Sequence, residues 1–459
     1  MKYITKAVLL LTVLCLICGC TPTNTGSDTP ATPGNTEKPS TTDSAIPVTT
    51  ADNLLLDKNA KQNTAVLPRG VTKDHTWIKS AAGNTLTFYY PAQQDAFTFH
   101  NGKTSVGESS WLRSLKEDYD ITLHAVRKSP ASALSAQRLA MLSGLQLDLL
   151  AFTPAQLPYA MSLTADATAL LDKQTDSLDF LNTTLLSYGN SGKRFFTPAG
   201  VARNLWYLSD SSDTTPLTLS ESKQWDVAAF SSFIATHTKL VDGKVSVYGY
   251  EVQDYTDFLT AMGTPLVSYD TAFIDGSAAT VGSIKKLQQI NAVAGRYYNG
   301  KSTDENAPAL AKGTLSMRYG QTPFVGKSEK YPAFSWAPLP TAERDQSEGT
   351  LSACAPILAL PKNGVKNEIA LNVALLWSAR FADANHDLLR FTYGMSYESW
   401  EQYYNATNRL ITVVYAAGET ETAELLTLAT AAEWDETKYA SLCSNVAATV
   451  KSYNERLPQ

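Results

Sequence analysis

The chain has 459 residues, 44% hydrophobic and 18% charged, an ordinary globular balance long enough for two or three domain-sized cores. Its formal net charge is −6 and no basic stripe interrupts it, which argues against nucleic acid as a partner.

Met1–Lys6 is a short basic start, and Ala7–Ile17 is an unbroken apolar run followed by Cys18-Gly19-Cys20. That arrangement reads as a secretory signal over 1–19, because the apolar run is too short to span a bilayer as a mature helix. The Gly19-Cys20 junction resembles a bacterial lipobox. The resemblance implies that Cys20 takes a diacylglycerol and becomes the mature N-terminus, with the fold held on the extracellular or periplasmic face of the membrane. Residues 20–51 are Thr, Pro, Ser, Asn and Gly with almost no apolar content, so they read as a disordered tether that cannot bury enough surface to repay ordering. Residues 52–83 are set apart as an N-terminal extension.

From Asn84 the pattern is regular. Leu86–Tyr90 reads as a strand ended by Pro91. Trp111, Leu112, Leu115 and Tyr119 fall at helical spacing. Ile121–Val126 is a second strand, and Ala133–Ser143 a helix closed by Gly144. Leu147–Phe152 is a third, nearly all-apolar strand, as a parallel sheet buried on both faces requires. Strands and helices alternate again later: helix Trp225–Thr236, strand Val245–Tyr250, helix Ser283–Tyr298, strand Leu315–Tyr319 and helix Asn367–Phe381. Such alternation predicts an α/β architecture of βαβ units, and the length fits two lobes better than one. Ligands of such sheets bind beyond the carboxyl ends of the strands.

Catalytic signatures are weak. Gly295, Gly300, Lys301 and Ser302 match the phosphate-loop pattern, but a predicted helix precedes them where a strand is required, so the segment reads as a helix end and surface loop. There is no G-x-S-x-G elbow. His75, His100, His124, His237 and His386 stand isolated, so no metal or other cofactor is indicated. Glu117, Asp118 and Asp120 read as a solvated helix end. Cys354 and Cys443 fit either a disulfide or two buried thiols, since sequence does not give the separation of their Cα atoms.

The remaining signal is aromatic, with 22 Tyr, 15 Phe and 8 Trp. Tyr89, Tyr90, Phe152, Tyr159, Trp206, Tyr255, Tyr319, Phe324, Tyr393, Tyr397 and Trp400 fall at predicted strand ends or loops. Gln93, Gln94, Asp95, Asn204, Asp254 and Gln321 lie near them. Sugars present apolar C–H faces ringed by hydroxyls, and flat rings flanked by amides and carboxylates suit them. For each ring, core and ligand wall remain equally open.

Several stretches resemble the family 1 extracellular solute-binding proteins of ABC importers, the maltose and oligosaccharide class. They include LTFYYP with the Trp-bearing helix after it, RLAMLSGLQLDLLAF (Arg138–Phe152), GKRFFTPAGVARNLWYLSD (Gly192–Asp210) and QWDVAAF. ALAKGTLSMRYG (Ala309–Gly320), SWAPLP (Ser335–Pro340), LPKNGVKNEIALNVALLW (Leu360–Trp377) and FTYGMSYESW (Phe391–Trp400) extend the likeness over most of Leu86–Tyr404. Leu147 replaces the family's usual proline, and Ser396-Tyr397 its usual Glu-Gly pair. The resemblance implies a two-lobed, type II periplasmic-binding-protein fold with a hinge and an interlobe cleft. Lobe 1 would be 84–202 with 356–393, and lobe 2 would be 203–355 with 394–459. Crossings fall near Gly200–Leu205, Ala353–Leu358 and Phe391–Ser396. Together with the aromatic signal it implies a ligand set of Tyr90, Gln93, Gln94, Phe152, Asn204, Trp206, Asp254, Tyr255, Tyr319, Gln321, Phe324, Tyr393 and Trp400. The implied protein is a non-enzymatic, lipid-anchored monomer that delivers a carbohydrate to ABC permease subunits. The alternatives are the same fold with a peptide or polyamine cargo, or a surface glycan-active enzyme.

Overall fold

The computed structural model describes residues 53–92, 94–153, 156, 160–187, 193–196, 205–210, 212–252, 254–264, 278–298, 309–320, 335–345, 351–352, 356–392, 394–407, 411–412 and 419–454. Two sheets organise them.

The first sheet is built on β1 (Thr85–Tyr90), which lies parallel to β4 (Thr122–Arg127) and to β5 (Leu149–Phe152). A two-stranded ribbon, β2 (Thr98–His100) with β3 (Ser105–Gly107), sits between β1 and β4 in sequence. β6 (Leu185–Ser187) and β7 (Lys193–Phe196) complete the sheet together with a strand from far along the chain, which pairs antiparallel to β5 and β7. All four residues of β5 are buried because helices cover both faces of the sheet there.

The connections form where the sequence dictates. α1 (Thr76–Ala81) precedes β1. α2 (Glu108–Tyr119) buries Trp111 and Leu115 and ends at Asp120, whose left-handed backbone returns its N–H to the Leu115 and Lys116 carbonyls. α3 (Pro130–Leu142) has proline in its first turn, and Gly144 beyond it adopts φ +79°, where a side chain would be strained.

The second sheet contains β8 (Leu205–Leu208), β9 (Lys239–Val241), β10 (Lys244–Val252), β11 (Leu315–Gly320) and β12 (Ser335–Ala337), with β10 parallel to β11. α4 (Val227–His237), α5 (Tyr255–Ala261) and α6 (Ala278–Asn291) pack with it. Its core centres on Trp206, ringed by Phe230 at 5.1 Å, Phe258 at 5.3 Å and Tyr319 at 5.5 Å between centroids. Stacked and edge-on ring contacts of this kind add specificity beyond the area they bury.

The chain then makes the short β13 (Leu351–Ser352) and returns to the first sheet as β14 (Ile357–Ala359). α7 (Asn367–Asp387) is buried almost all round, which fits its run of apolar residues on every face. A π-helical turn, Leu388–Thr392, leads to α8 (Tyr397–Thr407). β15 (Ile411–Thr412) pairs with β13, and α9 (Glu419–Thr430) and α10 (Glu436–Asn454) close the chain. No helix among the described residues is long and apolar enough to cross a membrane.

Residues 53–83, within the N-terminal extension of the sequence reading, pack into the body of the fold. Leu55 and Trp77 are fully buried in the common core, α1 packs on α7, and the Trp111 indole N–H donates to the Val66 carbonyl at 2.9 Å. The segment also straps the molecule. Arg69 pairs with Asp383 and with Asp387 (2.6 Å), and Asn63 reaches both carboxylates, all at the end of α7. Upstream, Trp400 and Tyr397 of α8 donate to the Leu55 and Leu56 carbonyls at 2.6 and 2.9 Å, and Asn53 donates to the Tyr404 hydroxyl at 2.7 Å. α8, expected in lobe 2, touches both halves: Trp400 meets His386 of α7, and Tyr403 meets Trp336 of β12 at 4.7 Å.

Candidate functional site at the strand ends

Register fixes which ends of the two sheets face the crossings. In the first sheet Phe152, the last residue of β5, pairs with Ile357, the first of β14; Phe196, the last of β7, lies beside them opposite Leu358. In the second sheet Leu205, the first residue of β8, pairs with Gly320, the last of β11, and Ala337, the last of β12, lies opposite Trp206. The chain passes from Phe196 to Leu205 and later from Ala337 to Ile357. Both crossings therefore join the carboxyl ends of the parallel strands. The eight residues between Phe196 and Leu205 hold those ends within about 30 Å of one another. A ligand site outside the carboxyl ends of one sheet is thus also outside those of the other.

On the first sheet β1 ends at Tyr90 and β4 at Arg127, paired in register. The Arg127 guanidinium lies 5.1 Å from the Tyr90 ring centroid. It donates to the Gln94 carbonyl at 2.7 Å, to Asp95 at 3.1 Å and to Glu108 at 3.3 Å. Glu108 is fully buried and also accepts from the Trp377 indole N–H and the Ala96 N–H. Burial pushes its carboxyl above the ordinary value, while those donors and Arg127 hold it down.

On the second sheet Glu251 of β10 and Arg318 of β11 are paired in register with 3.3 Å between charged atoms, and both are buried. Burial pushes Glu251 up to about 7 against the pull of Arg318. Asp254 caps α5, accepting from the Thr256 and Asp257 N–H groups at 2.9 and 3.1 Å. Burial, and secondly the neighbouring Asp257, raise its carboxyl to about 6. The Tyr319 hydroxyl donates to Asp257 at 2.8 Å. Polar and charged groups therefore gather at this end of both sheets: Glu108, Glu251 and Arg318 are buried, while Gln94, Asp95, Arg127 and Asp254 reach the surface.

The aromatic expectation needs correction for six residues. Tyr90, Phe152, Trp206, Tyr255, Tyr319 and Trp400 are all 0–1% exposed and belong to the core, not to an open ligand wall. The physical reason is double coverage: strands packed by helices on both faces bury successive side chains, and α8 is itself covered by the strap. Tyr90 keeps a buried hydroxyl with no hydrogen-bond partner, and desolvation drives its pKa well above the usual value. Gln94 is exposed and Asp254 half-buried at the strand ends. Gln93, Asn204, Gln321, Phe324, Tyr393 and the lipidation candidate Cys20 lie outside the described residues, as does Cys354. Cys443 is half-buried, and burial pushes its thiol up.

Sequence reasoning missed Arg127, Glu108, Glu251 and Arg318. A signal was present: each is a charge at the edge of, or inside, a strand or helix that is otherwise to be buried. Helix α6 ends at Asn291, short of the predicted Tyr298, and Gly295 follows it at φ +82°; Gly300, Lys301 and Ser302 of the phosphate-loop match lie outside the described residues. Among the described residues no group of three or more His, Cys, Asp or Glu side chains converges as a metal site would.

No family model and no curated protein matches the sequence. Solved structures do. An ABC substrate-binding protein from Listeria monocytogenes in complex with cycloalternan aligns over 80% of this chain and 99% of its own, with 13% identity and a TM-score of 0.51. The galacto-N-biose/lacto-N-biose I-binding protein of an ABC transporter from Bifidobacterium longum, in complex with lacto-N-biose, aligns over 82% and 98%, with 10% identity and a TM-score of 0.52. The cyclic alpha-maltosyl-1,6-maltose binding protein from Arthrobacter globiformis aligns over 82% and 99%, with 12% identity and a TM-score of 0.52. The likeness establishes the fold as the two-lobed α/β architecture of solute-binding proteins.

Proposed function

We propose that this chain is an extracellular solute-binding protein that captures a carbohydrate, an oligosaccharide by preference, and delivers it to the permease subunits of an ABC importer. The observation that carries the reading is the placement of both crossings at the carboxyl ends of the parallel strands of two mixed sheets, where polar side chains gather. Hinge closure over a ligand needs that topology. Proteins of the same fold whose bound ligands are cycloalternan and lacto-N-biose support a sugar as cargo. The protein releases its ligand unchanged and acts as a monomer.

The basic start, short apolar run and Gly19-Cys20 junction support anchoring by lipid at Cys20, with residues 20–51 as the spacer to the membrane. A Cys20→Ser protein found in the soluble fraction, against a membrane-bound parent, supports the anchor; equal partitioning of the two contradicts it.

The function is tested by thermal denaturation with a panel containing lacto-N-biose, maltotetraose and cycloalternan. A glycan present at a hundred times its Kd adds about 2.7 kcal/mol of stability. Stabilisation by a glycan that is recovered intact supports the reading. A panel without effect, alongside stabilisation by peptides or polyamines, assigns another cargo. Glycan fragments in the supernatant assign an enzyme.

A further inference from the structure

We propose that Arg127 is the positioning residue of the lobe 1 ligand wall: it fixes the segment Gln94–Phe97 near the carboxyl ends of β1 and β4, and so presets the surface that meets solute. The proposal rests on the reading of the strand ends as the ligand site, and it adds to that reading the residue that organises one side of it.

The argument starts from the fork of the guanidinium, which supplies five N–H donors in a rigid plane. One of its nitrogens donates to the Gln94 carbonyl at 2.7 Å, and the other bridges Asp95 at 3.1 Å and Glu108 at 3.3 Å. Beneath it the plane is supported by the Tyr90 ring. The same loop is held from its far end, where the Ala96 N–H donates to Glu108 at 2.8 Å. Glu108 itself is fixed to the buried helix α7 through the Trp377 indole. Arg127 and Glu108 thus tie Gln94–Ala96 to the core, next to the buried Phe97, whose carbonyl accepts from the Glu108 N–H at 2.9 Å. The Arg127 side chain remains 19% exposed, so this connection reaches the surface.

Asp95 shows how closely the loop is seated. Its carboxylate lies over the first turn of α2, accepts from Ser109 Oγ at 2.5 Å, and would collide with a Cβ added at Gly107. Gly107 is the residue before α2 and has an ordinary φ of −78°, so a side chain there is opposed by the seated Asp95 carboxylate, which it must displace, and not by backbone conformation. A carboxylate at a helix N-terminus is also favoured electrostatically. The free charge on Arg127 is therefore spent on the loop, and its role is to position Gln94 and its neighbours for a ligand.

The test combines two readouts on Arg127→Ala, Arg127→Lys and Gly107→Ala proteins. The first is amide hydrogen exchange at Gln94–Phe97 in the ligand-free protein. The proposal expects at least a tenfold faster exchange there in Arg127→Ala and Gly107→Ala, a smaller increase in Arg127→Lys, and unchanged exchange in β10 and β11. The second is the Kd for any glycan that stabilises the parent protein, expected to weaken at least tenfold in Arg127→Ala through a faster dissociation rate. Unchanged exchange at Gln94–Phe97, or a faster exchange spread evenly over the whole first sheet, overturns the proposal. If the parent binds no glycan, the proposed function fails while the exchange result still decides the role of Arg127.

Discussion

Each sheet carries an arginine beside a carboxylate on a pair of parallel strands, Arg127 at the end of β4 and Arg318 within β11, and the two differ in what surrounds them. Arg127 is partly exposed, touches three acceptors on a loop and a helix, and organises a surface. Arg318 is 2% exposed and faces the buried Glu251 carboxylate across the strand pair. The first arrangement has solvent to help it and spends its donors on loop geometry. The second takes two charges out of water, and the strain appears in Glu251, whose carboxyl is pushed up to about 7. A charge on a parallel strand pair can thus serve geometry in one lobe and register in the other.

The largest expected effect comes from breaking the buried pair. Arg318→Ala removes the cation that faces the buried Glu251 carboxylate and lowers stability by about 3–5 kcal/mol in urea denaturation. Replacing both, as Glu251→Leu with Arg318→Met, restores most of that loss. A single substitution without measurable cost contradicts the description of the pair.

Proton linkage sharpens the same contrast. Glu251 rises from its ordinary 4.5 to about 7 on folding, so its contribution is fully present below pH 4.5 and is lost as pH climbs through 7. Asp254, raised to about 6, acts in the same direction. His386, lowered by burial, acts oppositely: its contribution is present above 6.5 and lost as pH falls. The stability of the parent minus that of Glu251→Gln isolates the first term. It declines between pH 4.5 and 7, on the order of 3 kcal/mol in total; a flat difference contradicts it.

The strap offers a third, intermediate effect. Arg69→Ala removes the cation shared by buried Asp383 and Asp387, which keep Arg380 and His386 beside them, and costs about 3 kcal/mol. The smallest effect is at the surface, where the 3.2 Å pair of Lys58 and Glu398 is largely exposed on both sides. Lys58→Ala leaves the melting temperature unchanged within error.

These differences explain what the sequence could and could not reveal. β1, β4, β5, β10 and β11 and the helices between them were legible because period-2 and period-3.6 patterns are local. The αL ending at Gly144 was legible for the same reason. The strap was not, because Arg69 and Asp383 are 314 residues apart and nothing in either segment names the other. The burial of Trp206 and Tyr319 was illegible because a ring at a strand end looks alike whether a helix or a sugar covers it. Arg127 was overlooked because its importance lies in partners contributed by a loop and a helix, not in its own strand. Asp254 was found, but as a polar neighbour of aromatics; the structure shows it as a helix cap.

Solution X-ray scattering of the protein, without ligand and with a saturating glycan that raises its melting temperature, tests the central claim most directly. The account predicts a smaller radius of gyration with the glycan, as two lobes close over it, and a sugar recovered unaltered. Superimposable curves at saturation, or a cleaved sugar, contradict it.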